Sequence, residues 1–250
     1  MLAPTSTAIH SSLWRADQLG SFAAPCVSSY FKKLDAELPG NGWPTGVVTE
    51  LIARESGIGE IRLLIPALRQ LTRDKKTVIF LGAPHIPYGP ALASFGLDLA
   101  HVLVIQANQA ADRLWAVEQT LKSASFGALL AWLPKAQPAH LRRMQLAANT
   151  AQGPVFLFRP LSAQFESSPA PLRLLLQAKA DQKVAVHLLK RRGPVIAQPI
   201  VLDLPQPMAA IQLKPSVKPA ASVHSHPTLY HPSLQNSSHN IHHEIHTTAH

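Results

Sequence analysis

Residues 54–61 of this 250-residue chain, Arg54-Glu55-Ser56-Gly57-Ile58-Gly59-Glu60-Ile61, stand where a phosphate-binding loop is looked for: after an apolar run and before a helical one. Such loops follow G-x-x-x-x-G-K-[ST]: glycines let the backbone wrap an anion, lysine meets the outer phosphates and the hydroxyl meets magnesium. Aligned on Gly59, the first glycine is Arg54, the lysine is Glu60 and the hydroxyl is Ile61, with Gly57 an additional glycine inside the loop. The sign of the lysine change matters most. Unit charges about 4 Å apart interact by roughly 4 kcal/mol at an effective dielectric near 20, so Glu60 turns an attraction for polyphosphate into a repulsion. It also supplies the negative charge that a helix N-terminus favours. The same acid in an ordinary first helical turn would equally predict no nucleotide.

A magnesium-side carboxylate would end the strand Ala128–Leu133, where Trp132 stands instead. No Asp or Glu occurs between Glu118 and Glu166, so no shift of alignment brings one in. The expectation is a chain without nucleotide hydrolysis, without cofactor or metal site, and not an enzyme.

The elements that would position these residues follow from apolar runs and periodicity. Strands are expected at Val47–Ala53, Thr77–Leu81, His101–Gln106, Ala128–Leu133 and Val155–Phe158. Helices are expected at Glu60–Leu71, near Ala91–Phe95, at Ala110–Lys122 and at Ala139–Asn149, with Pro66 kinking the first or delaying its regular part. That alternation implies an α/β fold with a mainly parallel sheet flanked by helices. After Ser167 three strands without intervening helices, Leu172–Ala178, Val184–Lys190 and Ile200–Leu204, predict an antiparallel extension. Residues 1–30 read as a loosely ordered lead-in, 31–204 as the core domain, and 205–250, with six prolines and eight of the 13 histidines, as a disordered tail. His242, His246 and His250 would share one face if that tail formed a helix; incidental metal affinity in an unstructured tail is the expected account.

Composition narrows the classes further. One cysteine, Cys26, excludes an intramolecular disulfide and fits a reducing, cytoplasmic setting. The apolar run Ile61–Leu71 is broken by Arg62, Pro66 and Arg69, so no membrane span is expected, and the first residues lack the pattern of a secretory signal. A net charge of +9 favours acidic or polyanionic partners, DNA among them. The basic candidates are Arg142 and Arg143, then Lys190, Arg191 and Arg192. They read equally well as phosphate or partner contacts and as solvated surface, and no aromatic residue interleaves them. Trp115 and Trp43 are expected in the core.

The run Leu34–Leu51 and the stretch Thr77–Leu133 are similar to the path of RecA through its core. The blocks GWP, GIGE, APHIPYGPAL, LWAVEQTLKS, LAWLPK, LRRMQLAA, FLFRP, SPAPLRLLL and LLKRRG resemble the ImuA family, RecA relatives of bacterial mutagenesis cassettes, over residues 13 to 204. The resemblance implies a RecA-like core and a non-catalytic adaptor in a damage-induced (SOS) translesion synthesis complex. Its implied partners are an ImuB-like Y-family polymerase homologue and an error-prone C-family DNA polymerase, with RecA a further candidate and DNA met indirectly. It also implies that RecA's ATP-activating glutamate falls at Pro84, its magnesium-side aspartate at Trp132 and its phosphate lysine at Glu60, three departures that argue against ATP hydrolysis. Two alternatives stand beside this reading: a cell division inhibitor like SulA, a distant relative, and an ATP-dependent recombinase, which the same losses disfavour.

Overall fold

The computed structural model describes residues 25–194 and 196–208. In chain order the elements are β1 (Cys26–Val27), α1 (Lys32–Asp35), β2 (Trp43–Pro44), β3 (Val48–Ala53), α2 (Glu60–Arg73), β4 (Val78–Leu81) and α3 (Gly89–Ser94). Then come β5 (Val102–Ile105), α4 (Ala110–Ser123), β6 (Ala128–Trp132), α5 (Pro138–Ala148), β7 (Val155–Pro160), β8 (Leu172–Lys179), β9 (Lys183–Lys190) and β10 (Ile200–Asp203). Short 3-10 turns lie at Leu99–His101 and Leu161–Phe165.

Eight strands form one sheet in the order β10-β9-β8-β3-β7-β6-β4-β5. From β8 to β5 every neighbour is parallel, while β8, β9 and β10 pair antiparallel. The mixed α/β class and the antiparallel extension are thus as the sequence predicts. The inner strands β3, β4, β6 and β7 are nearly continuous apolar runs because both of their faces are covered. On one face, α2 and α3 pack Leu63, Leu64, Leu68 and Leu92 against Leu51, Phe80, Leu130 and Phe156, and this core continues to Val184, Val186 and Leu202 of the antiparallel strands. On the other, α4 and α5 place Val117, Leu121, Leu141 and Met144 over Val48, Ile79, Leu129 and Leu157.

Beyond α5 no helix among the described residues covers the second face. Over β3 and β8 the cover is the segment 161–170, with a small apolar cluster of Ile52, Ala163 and Leu175. Polar groups fill the rest. Glu50 in β3 is fully buried and pairs with Arg173, its register partner in β8, at 2.5 Å. It also lies 3.6 Å from Arg159 in β7 and accepts the Ser168 hydroxyl at 3.0 Å. Arg159 in turn pairs with Glu166 at 2.7 Å, and Arg173 donates to the Ala163 carbonyl at 2.5 Å.

Of the local expectations, a delayed start to α2 and a core position for Trp115 are corrected, and a core position for Trp43 holds. Helix α2 runs uninterrupted through Pro66, with Leu63–Leu68 buried on both sides of it except Pro66 itself. Tertiary burial of that face outweighs the single main-chain bond that proline removes. Trp115 is 66% exposed and not in the core, because α4 turns Val117, Glu118 and Leu121 inward. Trp43 is buried, edge-on to Phe156 with ring centroids 5.1 Å apart.

At the ends of the body, β1 pairs antiparallel with β2, and the Met208 N–H donates to the Ser94 carbonyl at 2.7 Å. Most of the expected lead-in and the histidine-rich tail lie outside the described residues. No helix among the described residues is long and apolar enough to cross a membrane.

Removing one partner of a buried ion pair leaves the others uncompensated, at a cost of about 3–5 kcal/mol. Glu50→Ala is therefore expected to lower unfolding stability by that order in urea titration. A loss below about 1 kcal/mol would mean that the surrounding guanidiniums reach water.

Candidate functional site

The C-terminal ends of β3, β4, β6 and β7 open into a cleft of about 370 Å³. Open α/β sheets place ligands at this end of the strands. Arg54, Glu55, Ser56 and Glu60 come from the loop after β3 and the start of α2, Gly82 and Pro84 from the end of β4, Trp132 and Pro134 from β6, and Phe158 to Pro160 from β7. The structure therefore brings Arg54, Glu60, Pro84 and Trp132 together, as the loop alignment requires.

The loop is closed by its own acid. Gly57 and Gly59 are left-handed, with φ of 88° and 102°, a backbone that favours glycine, and a Cβ on Gly59 would also have to displace a Leu204 methyl 2.3 Å away. Glu60, first residue of α2 and buried, turns its carboxylate back onto the loop, where the Gly57 N–H donates to its two oxygens at 2.9 and 3.0 Å. A carboxylate thus occupies the anion-favouring start of the helix. Ile61, at the hydroxyl position, packs against the main core.

Opposite, Trp132 at the end of β6 lines the cleft with an aromatic ring. It stacks on Phe158 at 4.3 Å and 13°, with Phe80 behind it at 6.3 Å. Pro84 lines the same cleft and offers no ionisable group.

Two cleft residues escaped the sequence reading. Arg113 of α4 crosses Gly82, where any Cβ would stand 2.6 Å from its side chain, and donates to the Ala107 carbonyl at 2.9 and 3.2 Å. In the sequence it looks like one more polar residue on an amphipathic helix; the signal was Gly82 ending a strand, which needed a neighbour to interpret. Arg159 reads as part of an apolar strand, and its pairing with Glu50 spans more than a hundred residues.

The basic candidates are not brought together. Arg142 and Arg143 lie on the outer face of α5, and Arg143 ion-pairs with Glu118 of α4. Lys190 donates to the Ser168 carbonyl at 2.9 Å, and Arg191 binds the Glu37 carboxylate at 2.7 Å and the Pro194 carbonyl at 2.6 Å. Arg191 thus ties the end of β9 to the α1 region, and Arg192 remains exposed beside it. Between the two clusters there is no hydrogen bond or ion pair among the described residues. Nor is any group of three His, Cys, Asp or Glu among the described residues placed to hold a metal.

Comparison with known proteins gives this architecture a relative. Residues 46–155, from just before β3 to the start of β7, match the family model described as cell division inhibitor SulA. The chain is 28% identical over 109 residues to the cell division inhibitor SulA of Edwardsiella piscicida, a match covering 44% of this chain and 65% of that protein. It is 25% identical over 125 residues to that of Serratia proteamaculans, covering 50% and 74%, and 25% identical over 118 residues to that of Yersinia enterocolitica, covering 47% and 70%. These matches overturn the expectation of a translesion synthesis adaptor. In place of the scattered blocks that resemble ImuA, one contiguous region through the parallel strands, residues 46–155, is similar to cell division inhibitor SulA.

Proposed function

We propose that this chain is a cell division inhibitor of the SulA kind, made after DNA damage and acting by protein contact. The likeness of residues 46–155 to cell division inhibitor SulA carries the reading. The cleft agrees with it: the strand-end site of the fold is lined by Glu60, Pro84 and Trp132, with Ile61 turned into the core, so contact takes the place of nucleotide chemistry. On this reading the core is a RecA-like domain that has kept its sheet and given up ATP. The acidic loop is its resting state, with no γ-phosphate to order or release it.

A contact protein needs a surface, and the turn between β4 and α3 offers one. Ile86 and Tyr88 are among the most exposed large apolar side chains of the body and lie inside the matched region. Tyrosine on a rigid, proline-flanked turn gives contact area at little entropic cost. Removing both side chains subtracts that area without touching the core.

Controlled expression in a dividing rod-shaped bacterium is expected to block septation and give long filaments in which DNA replication continues. The Ile86→Ala/Tyr88→Ala variant is expected to shorten the filaments several-fold while its melting temperature stays unchanged. Cells of normal length at a verified level of folded, unmodified protein would overturn the proposal. Millimolar MgATP is expected to leave the melting temperature of the purified chain unmoved; a rise of several degrees would mean that nucleotide binds the folded state despite Glu60.

A further inference from the structure

Helices α4 and α5 cover one face of the sheet and turn a second face of their own outward. Each returns between parallel strands, so the two run side by side in the same direction. The ion pair between Glu118 of α4 and Arg143 of α5 sets them level. Trp115 stands one turn before Glu118 on the same side of α4, and Leu146 one turn after Arg143 on the outward side of α5. Both are large, apolar and unburied, at 66% and 69% exposed. The fold thus gives the arginines of α5 an aromatic neighbour that sequence order withholds from them.

The charge of this face is mostly of one sign. Glu118 is buried and held by Arg143, which leaves Asp112 as the exposed acid of the two helices. Against it stand Lys122, Arg142 and Arg143, with Lys135 just before α5, all exposed. Lys122 and Arg142 enter no ion pair among the described residues. Arg143 gives one terminal nitrogen to Glu118, and a guanidinium has further N–H groups for a second carboxylate. We propose that the α4–α5 face docks an acidic, amphipathic helical segment of a partner protein. Its apolar residues rest on Trp115 and Leu146, and its carboxylates meet Lys122, Arg142 and Arg143.

The spacing fits a helix. Trp115 and Leu146 are offset by about 9 Å along the axes and about 9 Å across them, roughly 13 Å on the diagonal. Two apolar side chains about eight residues apart share one face of a helix and span about 12 Å. Amphipathic helices dock through anchors spaced in this way, and tryptophan and arginine carry much of the binding energy at interfaces. Charge selects the occupant. A second copy brings a net charge of +9. Residues 1–24 hold one Arg and one Asp, and residues 209–250 hold two Lys, one Glu and eight His, so neither end of the chain supplies an acidic segment. Single-stranded nucleic acid is bound by a succession of aromatic platforms, whereas Trp115 stands beside an aliphatic Leu146 and an acidic Asp112. Helix α3 packs on the other face of the sheet, and docking on α4 and α5 is independent of division inhibition.

The test is fluorescence anisotropy of the full chain with a labelled peptide of about eighteen residues, five turns of helix. The peptide is built of Ala, Gln and Glu and carries two Leu on one face, about eight residues apart. It is expected to bind roughly tenfold tighter than a peptide of the same composition with the two Leu on opposite faces. Trp115→Ala/Leu146→Gln and Lys122→Glu/Arg142→Glu are each expected to weaken binding by about tenfold or more at an unchanged melting temperature. The Ile86→Ala/Tyr88→Ala variant is expected to bind as the unmodified chain does. With p-benzoylphenylalanine in place of Trp115, illumination is expected to join the chain to the peptide. Equal binding of the two peptides, or binding that either charge or apolar double variant leaves unchanged, would overturn the proposal. So would a cross-link from position 115 to residues 1–24, to residues 209–250 or to a second copy. A single-stranded thymidylate that displaces the peptide and is itself lost with Trp115→Ala/Leu146→Gln would assign the face to nucleic acid instead.

Discussion

The carboxylate of Glu50 is the point on which the described body is hung. It sits, fully buried, in β3, the strand that joins the parallel part of the sheet to the antiparallel part, and it meets a guanidinium from the strand on each side. An unpaired charge there would cost several kcal/mol, and two unpaired arginines would cost more. Each group is tolerable only because the others are in place. The network therefore dictates which strands lie beside β3 and in what register, something apolar side chains alone specify loosely. It also explains how the second face is closed where α4 and α5 end. Ser168 and the Ala163 carbonyl bind members of the network, so the irregular segment between β7 and β8 is held down by polar bonds on an area too small for a helix.

The same strand delivers the loop to the cleft, which connects the network to the altered site. In a nucleotide-binding protein the loop after β3 takes its order partly from the phosphate. Here the order comes from Glu60, whose carboxylate satisfies the Gly57 N–H, and from Leu204, packed where a side chain on Gly59 would stand. Trp132, stacked between Phe158 and Phe80, packs the far side of the cleft.

Much of this was legible in the sequence because it depends on local pattern. Apolar runs bounded by glycine and proline marked β3, β4, β6 and β7, and the lack of helical patterns after Ser167 marked the antiparallel strands. Glu60, Pro84 and Trp132 could be placed in one cleft because strand-end positions follow from topology. What could not be read depends on long-range partners. Nothing near Arg191 announces Glu37, more than 150 residues earlier, so a structural clamp looked like a basic patch. Glu50 looked like an ordinary polar interruption in an apolar strand. Trp115 is exposed because its helix has a shallow periodicity and turns Val117 and Leu121, not Trp115, onto the sheet. The functional misreading had a similar source: short blocks scattered over the chain were weighed above one contiguous likeness through the parallel strands.

Two of the exposed apolar regions on this body have rigid backbone behind them. Ile86 and Tyr88 project from a turn fixed by Pro84, Pro87 and Pro90, and Leu103 and Val104 lie on a strand already paired on its other side. Both regions belong to the β4–β5 end of the sheet, remote in strand order from the Glu50 network at β3. The separation has a physical consequence. Binding at the β4–β5 end need not disturb the buried charges, and changes in the network need not reshape the surface, because the fully buried strand β6 stands between β4 and the network's outermost strand, β7.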